Sequence, residues 1–131
     1  MIRLLTTLSA ALFLAACATS EHAPNEAHAP APTSARQLSG AEIHQVLIGR
    51  KLESVTEKGE PFWEVLSPGG AATIKIAKFP EAEGSWKVSG DVICVTYKSY
   101  GRECNTVRSD GVSVWLIDEF KKTTNNMFSV H

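Results

Sequence analysis

Three cysteines and four histidines are the side chains of this 131-residue chain with the reactivity for covalent or metal chemistry. A thiolate is a nucleophile and a metal ligand, and two thiols in reach of one another oxidise to a disulfide. The cysteines are Cys17, Cys94 and Cys104; the histidines are His22, His28, His44 and His131. His22-Ala23-Pro24 and His28-Ala29-Pro30 form a quasi-repeat. Two imidazoles alone fall short of the three or four ligands of a metal site, so no metal and no other cofactor is expected. His44 reads as a surface residue of a helix and His131 as a terminal one. Hydrolytic chemistry needs a nucleophile with its base, paired carboxylates or a metal. No such set stands out: Glu81 and Glu83 straddle a turn, and Lys121-Lys122 reads as a solvated end. There is no glycine-rich phosphate loop at a strand–helix junction. No catalytic residue is expected, and the chain reads as a non-enzyme. A formal net charge of −1 also argues against nucleic acid as a partner.

Cys17 has the most telling neighbours. Residues 1–16, MIRLLTTLSAALFLAA, carry one cation, Arg3, and then a mostly apolar stretch of about a dozen residues, the pattern of a secretory signal. The stretch is too short to span a bilayer stably. It ends in Leu14-Ala15-Ala16-Cys17, which closely resembles the lipobox of bacterial lipoprotein precursors: Leu, two small residues, then Cys. The resemblance implies that residues 1–16 are removed and that Cys17 becomes the first residue, carrying lipid on its sulfur and amine. Two or three acyl chains pass the threshold of stable anchoring, since each buried methylene adds about 0.8 kcal/mol. Cleavage after Ala18 would instead give a soluble product without Cys17. The residue after Cys17 is Ala18 rather than Asp, which by analogy with enteric lipoproteins points to the outer membrane, facing the periplasm. Membrane lipid, through acylated Cys17, is thus the expected partner, with an envelope protein as a second.

These chemistries need elements to position them. Residues 17–38 contain the lipid-bearing cysteine and a stretch from Ala18 to Leu38 with six Ala, three Pro and one apolar residue larger than Ala, namely Leu38. Proline removes donors and favours extended backbone. The stretch reads as a disordered tether, spanning roughly 25 Å as a coil and about 65 Å when extended. The domain, residues 39–131, begins with Ser39-Gly40-Ala41-Glu42, a capping box, followed by Ile43, Val46 and Leu47 on one stripe and Gly49 as a stop. One short helix is predicted over 40–48. Beyond it, β-branched and aromatic segments alternate with turn clusters about every ten residues. The strands predicted are 51–56, 62–66, 72–78, 85–89, 92–98, 103–108 and 112–117, with a last one around Met127–Val130. Short sequential turns imply an antiparallel meander, which must curl into a small barrel or sandwich to bury its faces. The fold class is therefore mainly β, preceded by one short helix.

On this plan Cys94 and Cys104 lie on adjacent strands either side of the Ser99–Arg102 turn, where facing residues have numbers summing near 198. In an exported protein an even pair reads as a disulfide. Trp63, Trp86 and Trp115 read as core residues.

The stretch Gly84-Ser85-Trp86-Lys87-Val88-Ser89-Gly90-Asp91-Val92-Ile93-Cys94-Val95, with Cys104, Asp110-Gly111 and the helix motif Leu38-Ser39-Gly40-Ala41-Glu42-Ile43, resembles a family of small exported proteobacterial proteins of unknown function. The resemblance covers about residues 38–118. More loosely, the motif resembles the periplasmic inhibitors of secreted metalloproteases, miniature lipocalins with one disulfide. Two functions are weighed: a lipid-anchored envelope protein with a structural or interaction role, and a lipocalin-like ligand binder or protease inhibitor. Short strands and three tryptophans predict a filled interior, since cavity-bearing barrels usually have eight longer strands, which ranks the envelope role first. A void of a few hundred cubic ångströms with a polar mouth would promote the binder. A filled core would leave the turns 57–60, 67–70 and 79–84 as contact surfaces. Replacing Cys17 with serine is expected to abolish incorporation of labelled palmitate, and labelling that persists would refute the lipobox.

Overall fold

The computed structural model describes residues 24–130, with the side chains of Pro24 and Asn25 excepted. The signal segment, Cys17 and His22 lie outside the described residues, as does His131. Two short helices, α1 (Pro24–Ala27) and α2 (Gly40–Leu47), accompany nine strands. These are β1 (Arg36–Gln37), β2 (Lys51–Val55), β3 (Pro61–Leu66), β4 (Ala71–Ile76), β5 (Ala82–Ser89), β6 (Val92–Tyr97), β7 (Gly101–Ser109), β8 (Ser113–Asp118) and β9 (Thr124–Ser129). From β2 to β9 each strand pairs antiparallel with the next, as the meander predicts. The small β1 pairs with the end of β7, Arg36 opposite Ser109.

The eight-strand path curls until its first and last strands, β2 and β9, lie side by side. At this seam the Ser54 hydroxyl sits within hydrogen-bonding distance of Asn126 Oδ1 (2.8 Å) and the Met127 carbonyl (3.0 Å). The sheet is thus a nearly closed barrel. Alternation along the strands sends Leu52, Phe62, Leu66, Ile93, Val107, Val114, Leu116 and Phe128 into one core cluster.

One end of the barrel is stoppered by α2, whose Ile43 and Leu47 are fully buried in that core. The capping box forms as expected: Glu42 N–H donates to Ser39 Oγ, and Ser39 N–H donates to Glu42 Oε1. The helix sits on the β5–β6 turn, where Gly40 N–H donates to Asp91 Oδ1. Only glycine fits there, because a Cβ on residue 40 would come within 2.3 Å of the Gly90 carbonyl oxygen. The Leu38–Ile43 and Gly90-Asp91 motifs, fifty residues apart, are therefore two halves of one contact.

Residues from Pro24 to Leu38 do not behave as the disordered tether expected. The segment starts at α1, which packs on β9 and β2, and runs down the outside of the barrel to β1. Ala27 and Ala35 are buried, and Leu38 belongs to the main core. The reason lies on the opposite side of the β8 and β9 pleat. With Val114, Leu116 and Phe128 facing inward, Trp115 and Met127 face outward, and large apolar groups there need cover. Ala31 and Ala35 supply it, their small side chains letting the backbone come close. Low-volume composition, read as lacking core-forming capacity, is what allows this strap to lie flat. The domain therefore starts no later than Pro24 rather than at Ser39.

The tryptophans divide. Trp115 anchors the small outer cluster under the strap, and Trp86 packs partly buried against the main core, its Nε1–H donating to the Ser67 carbonyl at 2.8 Å. Trp63 is not core: it alternates out of the barrel between Phe62 and Glu64 and is half-buried beneath Lys51 Nζ, 5.2 Å from its ring centroid.

Cys94 and Cys104 face one another directly across β6 and β7, on the outer surface, and form a disulfide in the expected register. Closing a loop of this length restricts the unfolded chain by about 2.5–3 kcal/mol. A C94S/C104S chain is expected to lose about that much stability in urea unfolding; an unchanged midpoint would mean the link adds nothing.

Candidate functional site

The barrel interior is not filled, contrary to the expectation from short strands. A cavity of about 290 Å³ runs from α2 to the opposite, open end. Its deeper walls are apolar: Leu47, Leu52, Leu66, Ile74, Ile93 and Phe128. Its mouth carries Thr56, Glu57, Tyr100, Glu103, Asn125 and His28. An eight-strand path, its last strand running from Thr124 rather than from about Met127, and a stopper at one end only account for the space. Inward positions near the mouth hold small or polar residues such as Gly84, Gly101 and Asn105 rather than bulky ones.

The chemistry of the cavity centres on Glu64. Alternation on β3 places it between the inward Phe62 and Leu66, facing Ile74 of β4 and Leu52 of β2. The carboxyl is buried, and the Tyr97 hydroxyl donates to its Oε1 at 2.6 Å. Burial raises the Glu64 pKa to about 7; the Tyr97 hydrogen bond pulls the other way, and the nearby Glu103 charge adds to the rise. Tyr97 is itself pushed upward, first by burial and then by the charge and hydrogen bond of Glu64, so it remains a donor at neutral pH.

Glycine makes this pair possible. Tyr97 stands opposite Gly84 on β5 and Gly101 on β7. A Cβ at position 84 would lie 2.6 Å from Tyr97 Cδ1 and 2.1 Å from the Thr96 carbonyl oxygen, so the ring lies across a site that only glycine leaves open. Tyr100 meets Tyr97 edge-on, with ring centroids 6.2 Å apart. On the far side, Asn105 donates to Glu103 Oε1 (2.9 Å), and Asn125 donates to Asn105 Oδ1 (2.7 Å). These amides line the mouth with oriented dipoles.

His28, the residue after α1, lines the same mouth. Both ring nitrogens are buried, and neither has a hydrogen-bond partner among the described residues. Buried polar groups are normally satisfied, and an orphan of this kind in a cavity wall is a place for a ligand's polar atom. By sequence His28 falls in the expected tether beside His22, with no role of its own. No group of three or more His, Cys, Asp or Glu suited to a metal occurs among the described residues. His44 is exposed on the helix surface, as expected, and its ring meets Trp86 edge-to-face, centroids 5.2 Å apart. Of the turns expected to offer contact surfaces, 57–60 and 79–84 border the open end, whereas 67–70 lies at the α2 end.

Glu64 and Tyr97 were both missed. An acid within Phe62-Trp63-Glu64-Val65-Leu66 gives two readings of the pleat, and Trp63 and Val65 look like the better inward set. The signal available was Glu64's period with Phe62 and Leu66. Comparison of the chain with protein-family models, with curated proteins and with solved structures finds no match in any of the three.

Since an acid with a raised folded pKa binds its proton more tightly when folded, stability is full below about pH 4.5. It declines as pH rises through about 7. The loss attributable to Glu64 is about 3 kcal/mol at most. The E64Q chain, which keeps an acceptor for Tyr97, is expected to lack this component when unfolding is followed from pH 5 to 8. Parallel profiles for the two chains would mean Glu64 titrates normally.

Proposed function

We propose that this chain is an envelope lipoprotein whose barrel binds a small amphiphile: apolar body inward, donor-bearing head at Glu64, Tyr97 and His28. The observation that carries the reading is the 290 Å³ half-open cavity with a buried carboxyl on its wall. It reverses the order expected from the sequence, in which a purely structural envelope role came first. A cavity of 150 Å³ accommodates benzene, so this one suits a ligand of about a dozen non-hydrogen atoms. Its size lies at the lower edge of the range for small-molecule sites.

Charge narrows the ligand class. Glu57, Glu64 and Glu103 line the cavity, and no lysine or arginine among the described residues does. A carboxylate ligand would meet like charge in a site of low dielectric. A hydroxyl or protonated amine instead finds the Glu64 carboxyl as acceptor. The role proposed is binding rather than turnover. The lipobox-like Leu14–Cys17 supports anchoring, with membrane lipid as partner through Cys17, and Ala18 after it supports the outer membrane on the periplasmic side.

Calorimetric titration with an eight-carbon amine, alcohol and carboxylate tests the reading. Saturable binding of amine and alcohol is expected, at least about tenfold tighter than that of the carboxylate. Amine binding should strengthen as pH rises through about 7, where Glu64 ionises. Filling the cavity with I74W, checked for an intact melting transition, should remove binding. Absence of saturable binding by all three compounds would return the chain to a structural role.

A further inference from the structure

The open end of the barrel has a second property. Four turns surround it: those between β2 and β3, β4 and β5, β6 and β7, and β8 and β9. Three of them present an aromatic ring to solvent: Phe79 (48% exposed), Tyr100 (48%) and Phe120 (83%). The only other exposed large apolar residue among those described is Val112, on the β7–β8 turn at the α2 end. Exposed aromatics are thus gathered at the cavity mouth.

Tyr100 leans edge-on against Tyr97 at the cavity rim, and the turns that carry Phe79 and Phe120 are braced. Lys75 Nζ donates to the carbonyls of Ala77 (3.2 Å) and Phe79 (2.8 Å), bracing the turn beneath Phe79. The N–H groups of Phe120 and Lys121 donate to Asp118 Oδ1 at 2.9 and 2.8 Å. Lysines stand beside the rings: Lys78, Lys98, Lys121 and Lys122, with Lys58 on the fourth turn. Aromatic rings flanked by lysine suit the boundary between headgroups and acyl chains, where the ring buries apolar area and the ammonium stays at the phosphates. Glu57, Glu60, Glu81 and Glu119 share these turns, so the rings contribute more than net charge does.

The third observation is where the chain enters. The strap begins at α1 on the β2–β9 seam, passes His28 at the mouth and then descends toward α2. Pro24 therefore marks the open end, and Cys17 lies seven residues before it. Seven residues reach at most about 25 Å. An acylated Cys17 would hold the mouth, not the stoppered end, close to the lipid.

We infer that the open end of the barrel docks on the bilayer that anchors Cys17, with Phe79, Tyr100 and Phe120 inserted among anionic phospholipid headgroups and the cavity facing the membrane. This rests on the anchoring reading above and adds an orientation to it: the ligand enters from the bilayer rather than from the aqueous phase.

Two tryptophan probes test it in the full-length acylated chain, reconstituted in phosphatidylethanolamine–phosphatidylglycerol vesicles with brominated acyl chains. With F120W, brominated lipid is expected to roughly halve the added emission; with V112W, at the α2 end, it should leave the emission unchanged. Equal quenching in both, or none in either, overturns the orientation even where palmitate labelling shows Cys17 acylated. Vesicle flotation of the C17S chain separates the inference from the anchor. Unacylated protein should still bind phosphatidylglycerol vesicles, and an F79S/Y100S/F120S version should bind at least about tenfold more weakly. Equal binding of the two unacylated chains also overturns it.

Discussion

A strand has two faces, and a sheet of eight short strands must hide apolar groups on both. That constraint shapes the whole molecule. Curling brings β2 against β9 and encloses one set of side chains; α2 then stoppers one end with Ile43 and Leu47. The outward set is mostly polar, but Trp115 and Met127 are not, and the alanine-bearing strap from α1 to β1 exists to cover them. Core, stopper and strap are three responses to the same pleat.

The strap and the cavity are linked through this arrangement. Covering Trp115 requires the chain to cross the outside of the barrel from one end to the other. It must therefore begin at the mouth, and it leaves His28 there with ring nitrogens that have no partner among the described residues. Glu64 is the counterpart inside: a carboxyl held among apolar walls, its proton affinity raised by burial and its geometry set by Tyr97. Neither group benefits stability in the empty barrel. A buried carboxyl about half-ionised at pH 7 and an imidazole with no partner among the described residues are costs that binding a polar head would offset.

Much of the scaffold was legible locally. The capping box at Ser39–Glu42, the β5–β6 turn at Gly90-Asp91 and the pairing of Cys94 with Cys104 all follow from interactions between residues near in sequence or related by one hairpin. Strand limits moved by at most three residues, except that β9 began at Thr124 rather than near Met127. The candidate site was much less legible. Glu64 looks like a surface acid until β2 and β4 are placed beside it, and Tyr97 looks like any strand tyrosine until Gly84 and Gly101 flank it.

The chain's own pattern of period two, turn residues every ten positions and paired cysteines determined an antiparallel meander with one short helix and one disulfide. These are properties of neighbours, and neighbours interact whatever the final shape. Which face of β3 turned inward, whether the barrel held space, and where the Ala/Pro segment lay were decided only on closure. Each depends on volume shared among strands distant in sequence, and no local propensity records whether inward side chains will fill the room they enclose.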